Sequence, residues 1–377
     1  MKTVLIVVNY ISGGGLERVL VDVVNVLSSH VNVRVLSLYD IRSTYLLEVE
    51  QKVKVDTLDK YRYKIKNRLL KALYSRLYDK LFIQRFLFER YIKRLLPDIQ
   101  IAFAENPTLE IIATSNFALW KKIAWIHTDF LSDQNFILNV NQQVFKKILS
   151  LYNDIIFVSK GLELKFRNQY ELQSTTCLFN TIDLHRINVL KNENSSYLLK
   201  SGCINFIAIG RLAKEKAFCR LLSSFSKLSA KQKISCHLTI IGGGSDFQSL
   251  QEYVDKKNLH DTVTLTGNLP NPYPLLKNAD VLLQSSTYEG FGLVLLEAMA
   301  LNVPVVATRT IGATDVLDNG KYGILVENSD DAFDDIIPAI INDRSKVDKF
   351  KPLFTECLKK YSFQKFEYKL LKYIQNI

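Results

Sequence analysis

Short apolar runs alternating with helical patterns begin near the N-terminus and begin afresh past the middle of the chain, and few folds accommodate such a rhythm. Val4-Leu-Ile-Val-Val leads into an amphipathic stretch over 16–27 and then into Val31-Asn-Val-Arg-Val-Leu. Strand, helix, strand is the repeating unit of a parallel sheet. Further strands are predicted over 99–104, 122–126 and 155–158. The second half restarts with Ile204-Asn-Phe-Ile-Ala-Ile, a helix from about 217, His237-Leu-Thr-Ile-Ile, a helix over 247–257, and Val263-Thr-Leu; Val281-Leu-Leu-Gln and Val303-Pro-Val-Val-Ala follow. Residues 183–203 are polar, rich in Asn, Ser and Lys and without periodicity, as a crossing between domains would be. The expectation is an α/β protein of two doubly wound parallel-sheet domains, 1–182 and 204–360, facing across a cleft at the carboxyl ends of their strands, where this architecture binds ligands.

Composition narrows the setting. The 377 residues are too many for one ordinary core, and an apolar fraction of 47% can build two. Five scattered cysteines without a Cys-x-x-Cys pair indicate neither a disulfide framework nor a zinc site, and a reducing cytoplasm is the expected home. The first apolar run breaks at once into Asn9 and Gly13-Gly14-Gly15, which reads as a strand and loop and not as a signal peptide. No run approaches a membrane span. The net charge of +11 is concentrated: between residues 60 and 96 twelve Lys or Arg face only Asp79 and Glu89. In that segment Ile65, Leu69, Leu73, Leu77 and Leu81 recur every four residues, beside a lane of Leu70, Tyr74, Tyr78, Phe82 and Phe86. An amphipathic helical region results, with cations such as Arg68, Lys71, Arg76 and Lys80 around its stripe. It fits an anionic lipid surface, or a helix packed on its own sheet with a solvated basic face; without a reader module, nucleic acid is not an expected partner.

Three constellations carry chemistry. In Glu289-Gly290-Phe291-Gly292-Leu293, followed by Glu297, the glycines let backbone N–H groups approach an anion, and a helix entered at about Leu293 points its positive end the same way. Carboxylates eight positions apart do not share a helical face, so Glu289 is placed in the loop and Glu297 on the helix, suited to two hydroxyl-bearing parts of one extended ligand. Gly210-Arg211-Leu-Ala-Lys214-Glu215-Lys216 follows a strand and offers cations for a diphosphate, unless it is only a solvated basic loop. His127 ends an apolar strand and is either a packed residue or a cleft residue. Gly242-Gly-Gly244 is a nucleotide loop or a plain tight turn, and Gly14-Gly15 a phosphate-approaching loop or a flexible one. No Asp-x-Asp pair or His/Asp cluster has ligand spacing, so no metal is expected.

Together these residues resemble the retaining glycosyltransferase family 4, of the GT-B type with two Rossmann-like domains. The resemblance is strongest over 206–327, where Glu289 and Glu297 match the family's Glu-x7-Glu between Asn278-Ala-Asp280 and Asn302-Val-Pro304. It implies that Glu289 lies by the donor sugar, Glu297 takes the ribose diol, Arg211 and Lys216 bind the diphosphate, and His127 stands beside the reacting sugar. It also implies donor contacts at Gly14, Gly15, Gly210 and Gly290 to Leu293, a base site near Gly267 and Leu269, and a further donor loop at Gly312-Ala-Thr-Asp315. A C-terminal helix over 361–377 would return to the N-terminal domain. Two departures stand out: Ala217 replaces a usual glycine, and Thr181 a common proline. Trp125-Ile-His127-Thr-Asp129 and Asn271-Pro-Tyr273-Pro look like members that build bacterial surface polysaccharides. The implied activity is metal-independent transfer of a hexose from a UDP-sugar to a polyprenyl-diphosphate-linked or growing glycan, with no cofactor, at the cytoplasmic face of the inner membrane. A UDP-sugar epimerase on the same fold and a non-catalytic basic binding protein are the alternatives.

Overall fold

A computed structural model describes residues 1–11, 14–40, 44–62, 64–80, 83–105, 107–116, 120–133 and 140–377. They form two units, one of residues 1–179 with 366–377 and one of residues 180–365.

The first unit is built on seven strands: β1 (Thr3–Val8), β2 (Asn32–Tyr39), β3 (Lys54–Asp59), β4 (Ile99–Ala102), β5 (Lys121–Ile126), β6 (Asp154–Phe157) and β7 (Thr175–Cys177). They pair in the order β3-β2-β1-β4-β5-β6-β7, every pair parallel. The central strands are largely apolar because both faces are covered, and Val4 to Val7, Ile101 and Ile123 to Ile126 are buried completely. The order in which strands are added reverses between β1 and β4, the switch point at which loops open a crevice. The C-terminal residues are tied into this unit by Tyr373, whose hydroxyl donates to Asp154 Oδ2 (2.7 Å), and by Lys2, whose Nζ donates to the Ile374 carbonyl (3.4 Å).

The second unit has six strands: β8 (Ile204–Ile209), β9 (Cys236–Ile241), β10 (Val263–Gly267), β11 (Val281–Gln284), β12 (Val305–Thr308) and β13 (Ile324–Val326). Their order is β10-β9-β8-β11-β12-β13, again parallel, with its switch point between β8 and β11. Phe206, Leu221, Phe225, Leu238 and Phe333 fill the core on one face. Residues 183–203, expected as the interdomain crossing, lie wholly within this unit. Leu184–Leu190 is a helix there, capped by the Asp183 carboxylate accepting from Arg186 N. A single aspartate cap and one buried residue, Ile187, suffice for so short a helix, and neither leaves a periodic trace.

The basic segment holds two helices, Arg68–Lys80 and Ile83–Leu95, while Leu81 and Phe82 lie outside the described residues. Its tyrosine lane holds it to the sheet. Tyr74 donates to Asp59 Oδ1 (3.1 Å), and the Arg62 guanidinium lies 4.6 Å over the Tyr39 ring and 5.2 Å over that of Tyr78. Among the described residues no helix is long and apolar enough to cross a membrane.

Candidate functional site

The carboxyl edge of the second sheet gathers most of the residues singled out from the sequence. After β8 the chain turns through Gly210 and Arg211 into a single 3-10 turn, Lys214–Lys216. Lys216 extends to Glu289, Nζ to Oε2 being 2.5 Å, and Ser286 Oγ donates to the same oxygen at 3.4 Å. Both members of the pair are part-buried, 26% and 18% exposed, so the attraction is screened less than on an open surface. The turn is fastened from beneath: Thr287 N donates to the Glu215 carbonyl (2.8 Å) and Ser285 Oγ to the Lys216 carbonyl (2.8 Å). Arg211 is held by Glu215, Nη2 to Oε1 2.7 Å, with its side chain largely in solvent.

Glu289 precedes the turn Gly290-Phe291-Gly292, and Glu297 sits on the helix Leu293–Ala300. Gly292 has φ of 93°, a left-handed conformation open to glycine, and no side chain caps the helix it starts. Uncapped N–H groups at the positive end of a helix favour an anion there. Phe291 is buried edge-on against Tyr361, ring centres 5.4 Å apart, so its side chain anchors the turn. Leu293, next along, is half-buried. Glu297 Oε1 accepts from the Tyr273 hydroxyl at 2.9 Å.

The glycine triplet after β9 is explained by packing. A Cβ on Gly242 would lie 1.8 Å from the Gly210 carbonyl oxygen, and one on Gly244 2.1 Å from that of Leu212. Gly210 N donates to the Ile241 carbonyl and Gly242 N to that of Gly267, which binds the ends of β8, β9 and β10 together. Gly267, with φ of 70°, and the half-buried Leu269 lie at the far side of this row.

Ala217 clarifies one departure from the family pattern. It adopts φ 47° and ψ 40°, the left-handed region that glycine enters without penalty and alanine enters at about 1 kcal/mol. Replacement by glycine relieves that strain but loses a buried methyl and gains unfolded-state entropy, terms of similar size. Ala217→Gly is therefore expected to change stability by less than about 1 kcal/mol, whereas Ala217→Val, β-branched in the same conformation, costs about 2 kcal/mol or more; urea denaturation of both variants checks this.

In the first unit, Gly14 begins the helix Gly15–Leu27 without a side-chain cap, both glycines being exposed, while Gly13 lies outside the described residues. His127 follows β5 directly. Its ring stacks on Trp125 (5.7 Å between centres) and tilts against Phe103 (4.5 Å), and neither ring nitrogen has a hydrogen-bond partner among the described residues. Burial pushes its pKa down to about 3, so the imidazole is neutral near pH 7. Glu105, not singled out from the sequence, shapes this turn: its Oε1 accepts from the backbone N–H of His127 (3.1 Å) and of Thr128 (3.0 Å). Burial raises the Glu105 pKa, and those backbone donors oppose the rise. A glutamate three residues past a strand carries no motif, so only the pairing of β4 with β5 reveals it.

Arg68 is exposed and Lys71 half-buried, while the side chains of Arg76 and Lys80 lie outside the described residues. No three His, Cys, Asp or Glu side chains converge as a metal site would require, among the described residues.

Residues 191–352 match the model of the glycosyl transferases group 1. An uncharacterized glycosyltransferase of Methanocaldococcus jannaschii is 29% identical over 272 residues, 63% of this chain and 65% of that protein. An N-acetylgalactosamine-N,N'-diacetylbacillosaminyl-diphospho-undecaprenol 4-alpha-N-acetylgalactosaminyltransferase of Campylobacter jejuni is 31% identical over 196 residues, 50% of this chain and 52% of that protein. The chain thus spans between half and two thirds of the length of these curated relatives. Among solved structures, Anabaena HepE in complex with UDP and glucose superposes with a TM-score of 0.78 at 17% identity, covering 100% of both chains. Residues 191–352 are accordingly a glycosyl transferases group 1 domain, carried in a chain with the GT-B fold of two Rossmann-like units.

Proposed function

We propose that the chain transfers a hexose from a UDP-sugar to a hydroxyl of a lipid-linked or growing surface glycan, with retention of anomeric configuration and without a metal. The observation that carries this reading is the Lys216–Glu289 pair set beside the uncapped helix at Gly292. Such a place offers a cation and oriented N–H groups to a diphosphate and a carboxylate to sugar hydroxyls, within one unit. Arg211 adds a second cation along the same loop, Glu297 receives the ribose, and Gly267 and Leu269 border the base. The HepE structure with UDP and glucose supports the donor class, and the Campylobacter relative's diphospho-undecaprenol substrate supports a lipid-linked acceptor.

In the proposed step the bond from C1 to the diphosphate oxygen breaks and a bond from C1 to the acceptor oxygen forms on the same face. The acceptor proton passes to the departing diphosphate. Lys216, Arg211 and the helix N-terminus stabilise the negative charge that develops on that diphosphate, which is where preorganised donors lower a barrier most. His127, on the first unit, is neutral near pH 7, so any part it takes is through shape and polarity and not as an acid. Thermal stabilisation of the full chain by each of a panel of UDP-sugars tests the donor class. The reading expects a rise in Tm with UDP and a larger one with the cognate sugar; no rise with any uridine nucleotide counts against it.

The acceptor's lipid would bring the enzyme to an anionic membrane. Leu69 is 81% exposed, Leu73 55% and Phe86 64%, while Tyr74 and Tyr78, about 140° around the first helix, hold it to the sheet. Exposed leucines within a segment of twelve cations suit insertion among anionic headgroups. Sedimentation is expected with phosphatidylglycerol vesicles and not with phosphatidylcholine, and Leu69→Ser with Leu73→Ser should weaken it at least tenfold. Equal binding to both lipids argues against the dock.

A further inference from the structure

The carboxylate of Glu297 is gripped by a neutral donor from a separate element, the start of the helix Tyr273–Asn278. Tyr273 is 5% exposed, and its hydroxyl reaches Glu297 Oε1 at 2.9 Å. A buried phenol requires a partner, and a carboxylate returns a charge-assisted bond stronger than a neutral one. The ring itself is held in place. Tyr273 N donates to Asn271 Oδ1 (3.1 Å), and Asn271 Nδ2 donates to the Leu190 carbonyl (2.8 Å) and to Glu193 Oε2 (2.9 Å). Pro272 and Pro274 on either side fix two backbone φ angles. The chain thus runs from the helix Leu184–Leu190 through Asn271 and Tyr273 to Glu297, with few freely rotating bonds along it.

A glutamate on a helix surface has three side-chain torsions to freeze before it can accept two hydroxyls in one geometry. Tyrosine has two, and here both are set by burial. We infer that Tyr273 is a positioning residue: it holds the Glu297 carboxylate aligned for the ribose hydroxyls of a nucleoside diphosphate before the ligand arrives, an inference that rests on the UDP-sugar reading above. Preorganisation of this kind lowers the entropy lost on binding and acts on affinity more than on the chemical step.

The test is calorimetry on the full chain with two probes, UDP and 2',3'-dideoxy-UDP, which lacks the hydroxyls in question. The wild type is expected to prefer UDP at least tenfold, and Glu297→Ala to lose that preference. Tyr273→Phe, which removes one oxygen and keeps the ring, is expected to reduce the preference to about threefold. With a cognate donor it should raise KM by a similar factor and leave kcat within about twofold. A Tyr273→Phe preference equal to that of the wild type, with Glu297→Ala having lost its own, overturns the positioning role alone. A wild type that does not distinguish the two probes overturns the assignment of Glu297 to the ribose, and with it the donor reading. A loss of kcat with unchanged KM in Tyr273→Phe also contradicts the inference, because a ribose contact serves binding.

Discussion

Lys216→Ala is expected to lower kcat by about two to three orders of magnitude while the chain remains folded, the loss typical of removing one preorganised group from a developing anion. The size follows from where the side chain ends. Its Nζ lies 2.5 Å from Glu289, which fixes the cation in position, so little reorganisation is needed when the diphosphate begins to leave. The turn that carries it is anchored by Ser285 and Thr287, which bond its backbone and not its ammonium, so the alanine variant keeps the loop. Glu289 is left without its cation, a part-buried carboxylate whose discomfort adds about 1 to 2 kcal/mol of local destabilisation, too little to unfold a unit of this size. Steady-state kinetics with the cognate donor, alongside a thermal melt, separates the two effects. A kcat within tenfold of the wild type would remove Lys216 from the chemistry.

Gly312→Ala should abolish most donor binding through backbone displacement, without touching any polar group. A Cβ at this position would stand 2.4 Å from Phe291 N, 2.6 Å from Phe291 Cα and 2.7 Å from the Gly290 carbonyl carbon. All three are backbone atoms, so no side chain can swing away to make room. Gly312 N also donates to the Glu289 carbonyl at 3.0 Å, which locks the helix Ile311–Val316 onto the turn that presents the candidate donor ligands. Relief therefore requires moving either that helix or the Glu289-Gly290-Phe291-Gly292 turn. The expected cost is about 2 to 4 kcal/mol of stability, seen as a fall in Tm of about 5 to 10 °C, together with at least a tenfold loss of UDP affinity. Calorimetry with UDP on the variant below its melting temperature is the check. Wild-type affinity would mean that the turn does not form the donor site.

The central strands of both sheets were legible because residues buried on two faces write an apolar run, as in Val4 to Val8 and Ile204 to Ile209. The strands that escaped notice are β3, β7 and β13, all at or near a sheet edge. Lys54–Asp59 carries three charges in six residues and only two aliphatic side chains, while Thr175–Cys177 and Ile324–Val326 are three residues long, too short to carry a period. The turn at Glu289 and the helix bearing Glu297 could be read from spacing, since both lie within eleven residues of chain. The partners could not. Glu105 reaches His127 across neighbouring loops, and Tyr273 reaches Glu297 from one helix to another, contacts that only the fold brings about. Gly242 and Gly244 have a packing reason that no motif shows, because the carbonyls of Gly210 and Leu212 stand where a side chain would lie. The amphipathic region is helical as expected, and its described residues divide between exposed and packed. Leu69 and Leu73 of one lane, and Leu70 and Phe86 of the other, are exposed, while Tyr74 and Tyr78 pack through Asp59 and Arg62.

The most direct measurement is the anomeric configuration of the product. The full chain is incubated with a UDP-hexose that raises its Tm and with a polyprenyl-diphosphate-linked saccharide, and the new linkage is read from the proton coupling at C1. The account predicts a transferred hexose with the configuration it had in the donor, and equal transfer with and without a chelator. An inverted linkage, or conversion of the UDP-hexose to its epimer with no acceptor present, would contradict it.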